Sequence, residues 1–117
     1  MIFKSLYHMK NNEFKKLISY NIKDKLDYVS NTVVIKHIPY EETNDIMVLA
    51  LDYGKVYKPK PTPFSTFIQV IEGKAEVLVD DVFTNLQNGD SMIIPGNTVS
   101  TIEAHQRFKM LSIILKN

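Results

Sequence analysis

The feature that most constrains this chain is a train of short apolar, β-branched segments from about residue 31 onward, punctuated by turn residues. Thr32–Ile38 is dense in branched side chains, which fit a pleated surface. Ile46–Tyr53 follows Pro39 and the polar stretch Glu41–Asp45. The series continues through Thr66–Ile71, Lys74–Asp80, Val82–Leu86, Ser91–Ile94, Val99–Glu103 and Phe108–Leu115. Between these segments stand Glu72-Gly73, Asp80-Asp81, Asn88-Gly89-Asp90, Pro95-Gly96-Asn97 and Ala104–Arg107. Strands at a spacing of about 8–12 residues predict an all-β sandwich or barrel and argue against a βαβ sheet. A jelly roll, which folds two sheets onto each other, protects most of their edges.

The first thirty residues read differently. They carry Lys4, Lys10, Lys15, Lys16, Lys23 and Lys25 against Glu13, Asp24 and Asp27. Phe14, Leu17 and Ile18 have i, i+3, i+4 spacing, which predicts a short amphipathic helical turn over about 12–19. The expected organisation is a solvated, irregular or helical lead-in over residues 1–30 and one β-barrel domain over 31–117. A chain of 117 residues is long enough to bury a real core as a single domain.

Two blocks of spacing sit inside the β region. The first runs Gly54, five residues, Lys60, one residue, Thr62, three residues, Thr66, six residues, Gly73. The second runs Gly89, five residues, Pro95, one residue, Asn97, two residues, Ser100. Together they resemble the two motifs of the cupin family, G-x5-H-x-H-x3,4-E-x6-G and G-x5-P-x-G-x2-H-x3-N. Val70–Val77 looks like the family's central hairpin, and Asn88-Gly89-Asp90 with Ile94-Pro95 looks like its "GD…iP" segment. The final Arg107–Leu111 resembles the ending of small single-domain cupins. The resemblance covers about residues 31–115 and implies a double-stranded β-helix, the jelly-roll barrel of that family.

At the four positions where cupins carry His, His, Glu and His, this chain has Lys60, Thr62, Thr66 and Ser100. An ammonium and three hydroxyls cannot replace imidazole and carboxylate as direct ligands of a divalent transition metal. The expectation is therefore a barrel with neither a metal nor another cofactor. Alternation along a strand turns Thr66, Ile68 and Val70 inward and Phe67, Gln69 and Ile71 outward. Ser100 and Ile102 turn inward likewise, with Lys60 and Thr62 at the barrel mouth and Tyr57, Phe64 and Met92 as walls. The predicted ligand-binding set is Lys60, Thr62, Thr66, Ser100, Tyr57 and Met92. The bland readings are that the hydroxyls fill space and satisfy one another, and that Lys60 points to solvent beside Lys58.

Only three histidines exist, His8, His37 and His105, and none forms an H-x-H pair. They read as surface or interface residues. A relocated metal site would draw His37 or His105 together with Asp52, Glu72 or Glu103. There is no cysteine, so a disulfide framework, a thiolate site and a Cys nucleophile are excluded. The sequence also lacks a P-loop, a dinucleotide fingerprint and a G-x-S-x-G elbow. The net charge of +1 gives no footprint for nucleic acid or an anionic membrane. No apolar run reaches the length of a membrane span, and the N-terminus lacks a secretory core, so the cytoplasm is the expected location.

Three functions follow from this pattern. The first is a cofactor-free barrel that binds a small, anionic molecule or serves as a non-catalytic dimeric module. Phe67, Ile71, Phe83 and Leu111 are the outward apolar residues for contact with a second copy. The second is a metal-independent isomerase or epimerase, with Tyr57 as acid and Lys60 as base. The third is a metal cupin with a relocated site.

Overall fold

The computed structural model describes residues 14–39 and 43–116, together with the backbone of residues 6–9. Nine strands form: β1 Leu6–Met9, β2 Val33–His37, β3 Ile46–Leu51, β4 Val56–Tyr57, β5 Ser65–Val79, β6 Val82–Gln87, β7 Ser91–Ile94, β8 Ser100–Glu103 and β9 Phe108–Leu115. They are joined in the order β1-β2-β3-β9-β5-β8-β4, with β6 and β7 also pairing with β5. Every pairing is antiparallel except β1 with β2. The result is a nearly closed jelly-roll barrel of two sheets.

One strand belongs to both sheets. The first half of β5 pairs with β7 and β9, and its second half pairs with β6 and β8. The sequence predicts two strands here, separated by a turn at Glu72-Gly73. The chain instead runs through as one strand of 15 residues. The register against β9 slips between Val70 and Glu72, so the glycine marks a bulge and not a hairpin. Gly73 adopts φ +83°, and a Cβ there would run into the carbonyl oxygen of Arg107. The Asp80-Asp81 turn does form as predicted, with both residues at positive φ (49° and 63°), the conformation of a two-residue type I′ hairpin.

Alternation packs the interior. Val33, Ile35, Leu49, Leu51, Ile68, Val70, Val77, Ile102, Phe108 and Met110 point inward and form the main core. Phe108 is fully buried and closes the barrel beside the β5 bulge.

A second, smaller core lies on the outer face of the first sheet. Val34, Val48 and Ala50 are buried there beneath Leu26, with Ile22, Tyr28, Ile71 and Leu111 packed around them. The lead-in is thus part of the packed fold across residues 22–28, which corrects the expectation of a solvated segment. No helical turn forms over residues 14–19; 12 and 13 lie outside the described residues. Leu17 is fully exposed at φ 64°, and the only helical element described is a 3₁₀ turn, Ile22–Lys25, capped by Asn21. Leu17 and Ile18 meet no packing surface, and Phe14 instead sets its ring edge-on to Tyr20 at 5.4 Å.

Two lysines fasten this segment. Lys36 and Lys109 are nearly buried, and their ammonium groups donate to the carbonyls of Lys25 and Lys23 respectively. Tyr28 donates to Glu72 Oε2 at 2.7 Å, and the cationic groups of Arg107 and Lys109 stand 5.2 and 5.0 Å from its ring centroid. Burial, then the bond to Glu72, pushes its phenol well above the usual tyrosine range. The cover also removes Ile71 and Leu111 from the outward apolar set expected to meet a second copy, while Phe83 remains exposed.

Candidate functional site

A small cavity of about 40 Å³ opens at one end of the barrel. Its floor is apolar and comes from inward positions of three strands: Leu49 of β3, Ile68 of β5 and Met110 of β9, with Ile102 of β8 beside them. Above the floor stand the side chains of Thr66, Ser100 and Ser112. The mouth is the proline-rich stretch Pro59–Phe64, which includes Lys60 and Thr62. Three prolines in that stretch supply acceptors but no backbone N–H, and they hold the lip extended.

The two sequence blocks meet at this lip. Asn97 N–H donates to the Thr62 carbonyl at 2.7 Å, joining the loop after β7 to the loop before β5. Thr62 Oγ1 accepts from Phe64 N–H at 3.0 Å, so this hydroxyl serves the local turn. Thr98 Oγ1 donates to the Gly96 carbonyl at 3.1 Å in the same way. The hydroxyls of Thr66, Ser100 and Ser112 make no hydrogen bond to any described residue, although Ser100 and Ser112 are only 4% and 5% exposed. Space-filling therefore accounts for Thr62 and not for the other three.

Five of the six residues predicted from sequence share this cavity: Lys60, Thr62, Thr66, Ser100 and Tyr57. Lys60 is exposed at the rim and still lines the opening. Met92 is set apart. It pairs across β5–β7 with Ile68 and packs against the main core instead of the cavity. Sequence reasoning missed Ser112 and Thr98. Ser112 could have been found by period-two alternation, because Phe108 and Met110 of the same strand point inward. Thr98 lies in a loop, where no periodicity applies.

Tyr57 pairs with Ile102 at the inner end of the short β4. Burial pushes its phenol up, so at neutral pH it is a hydrogen-bond donor and not a base. Among the described lining residues there is no His, Cys, Asp or Glu. An ammonium, a phenol and several hydroxyls are a poor donor set for a divalent transition metal.

His37 ends β2, and His8 lies in β1, its side chain outside the described residues. His105 stands with Glu103 and Glu76 on the barrel's outside. Asp52 and Glu72, the other carboxylates considered for a relocated site, are engaged elsewhere, with Arg107 and with Tyr28 and Lys109. Glu41 and Glu42 lie outside the described residues.

The sequence matches no protein-family model and no curated protein. Solved structures do match. A conserved protein of unknown function from Streptococcus pyogenes superposes with a TM-score of 0.80 at 17% identity, over 91% of this chain and 93% of its own. A cupin superfamily protein from Desulfitobacterium hafniense gives 0.81 at 18% identity, over 93% of this chain and 100% of its own. A cupin 2 conserved barrel domain protein from Leptotrichia buccalis gives 0.75 at 22% identity, over 83% of this chain and 47% of its own. The fold is that of the small cupin barrels. Among the described residues, no helix is long and apolar enough to cross a membrane.

Proposed function

We propose that the barrel binds a small organic anion, its apolar part on the floor and its charged end among the hydroxyls below Lys60. The observation that carries this reading is the set of hydroxyls on Thr66, Ser100 and Ser112, buried or half-buried and without protein partners. These hydroxyls open to the cavity, so water or a ligand group can pair with them there. Apolar walls with a few converging polar groups are the usual make-up of a small-molecule site, and a cavity of about 40 Å³ limits the ligand to a small one. Tyr57 adds a neutral donor and Lys60 a cation, which favours a carboxylate over an amine.

Binding is a better reading than turnover. Among the described lining residues only Lys60 and Tyr57 titrate, and the phenol is held protonated. Proton-transfer chemistry would rest on Lys60 alone, whose place at the rim is suited to charge pairing with a ligand end. The test is calorimetric titration of the protein with short aliphatic and aromatic carboxylates, alongside native mass spectrometry for a co-purifying small molecule. Lys60→Ala and Ser100→Val should each weaken binding by about tenfold, the loss of one good polar contact. Saturable binding that neither change alters would refute the reading. So would the absence of binding up to about 1 mM across the panel.

A further inference from the structure

A second cluster of polar side chains lies on the opposite side of the barrel wall. On the outer face of the second sheet, Glu76 of β5 stands directly opposite Glu103 of β8. Like charges in opposed positions destabilise a strand pair. Among the described residues, neither carboxylate has a lysine or arginine partner. His105, in the turn after β8, closes on both. Its Nε2 lies 3.3 Å from Glu76 Oε1 and 3.9 Å from Glu103 Oε1. One ligand atom from each of the three residues falls within 4.8 Å of the others.

We propose that Glu76, Glu103 and His105 form a divalent-cation site on the outer wall, with zinc the ion that fits best. One imidazole nitrogen with two carboxylate oxygens is a borderline donor set; calcium and magnesium prefer oxygen alone. Metal–ligand bonds of about 2.0–2.2 Å in a tetrahedron put neighbouring donors about 3.3–3.6 Å apart. His105 Nε2 and Glu76 Oε1 already stand at that spacing; the Glu103 oxygen at 3.9 Å, with all three donors within 4.8 Å, has to close in by side-chain rotation. The backbone under the site is fixed. Glu76 and Glu103 sit on paired strands, and Ala104, between Glu103 and His105, is tied on both sides by Gly54 N–H to its carbonyl at 2.7 Å and by its own N–H to Lys55 at 2.9 Å. A site on such elements keeps its geometry better than one on a free loop.

Three protein ligands leave a fourth position open. Glu76 and His105 also line a cleft with Lys74, Asn85 and Gln106. A water, or an anionic group drawn by Lys74, would complete the coordination. The bound ion would screen the two carboxylates from each other and staple the β8–β9 turn to β5. This site is independent of the barrel cavity, since Val77 and Ile102, the chain neighbours of Glu76 and Glu103, point into the core.

The test is a titration of the chelator-stripped, full-length protein with Zn²⁺ by calorimetry, repeated with Co²⁺ and read by its visible absorption. One equivalent of Zn²⁺ should bind, with a tetrahedral cobalt spectrum. His105→Ala and Glu76→Gln should each weaken it by more than about tenfold. Both positions are on the surface, so circular dichroism of the variants should match the parent. Zinc binding weaker than about 1 mM would overturn the proposal. So would one-equivalent binding that survives both substitutions, which would place the ion elsewhere.

Discussion

Gly73 offers a sharp test of how the barrel is bent. At φ +83° an L side chain is strained, by about 1–2 kcal/mol for a left-handed residue. At this position there is a second cost. A Cβ would meet the Arg107 carbonyl oxygen and lie 3.1 Å from Cα and Cβ of Phe108, which is fully buried and cannot retreat. Overpacking of that kind adds about 1–3 kcal/mol. Gly73→Ala should therefore destabilise by about 2–5 kcal/mol, a large part of the roughly 5–15 kcal/mol available to a domain of this kind. The thermal midpoint should fall by on the order of 10–20 °C. Gly89→Ala is the matched control, because Gly89 has φ +91° with nothing within 4 Å of the added carbon. It should lose only about 1–2 kcal/mol. Urea unfolding of both variants, with unchanged m-values, isolates the steric part as the difference between them. Losses equal to within about 0.5 kcal/mol would refute the reasoning, since they would mean that the backbone beside Phe108 yields freely.

Two further predictions concern the N-terminal cover and its surroundings. Leu26→Ala, at a side chain only 2% exposed, should cost about 2–3 kcal/mol in denaturant unfolding and speed amide exchange across residues 22–28. The Asp52 carboxyl is held down at about 2 by the Asn31 N–H and then by the Arg107 guanidinium 2.7 Å away. Because its folded pKa lies below the unfolded value, its contribution is complete above about pH 4 and is lost as pH falls toward 2. Unfolding measured down the acid limb should therefore be less steep in Asp52→Asn than in the parent.

The barrel was legible in the sequence because its signals are local and repeated. Alternation placed Thr66, Ile68, Ser100 and Ile102 correctly on the inner face, and the Asp80-Asp81 turn announced its hairpin. Gly73 misled because a bulge and a hairpin both call for positive φ, and only the partner strand distinguishes them. The helical reading of Phe14, Leu17 and Ile18 used periodicity alone, and Leu17 and Ile18 meet no packing surface. The contrary signal was present in β3, where Ile46–Leu51 runs apolar without alternation. A strand apolar on both sides is covered on both sides, and its second cover had to come from another part of the chain. The Glu76–Glu103–His105 cluster was only half visible. His105 and Glu103 are near neighbours in sequence, but Glu76 joins them through the pairing of β5 with β8.

The buried lysines that grip the 3₁₀ turn bear on where this fold can be cut. A version beginning at residue 31 keeps every strand of the barrel except β1. It would nonetheless bare an apolar patch made of Val34, Val48, Ala50, Ile71 and Leu111. The ammonium groups of Lys36 and Lys109 would lose the carbonyls they now hold, and the side of β2 that pairs with β1 would become an open edge. A bare edge beside an exposed apolar face is a template for self-association. Cutting at residue 31 should therefore promote self-association, seen as a mass that rises with concentration in light scattering.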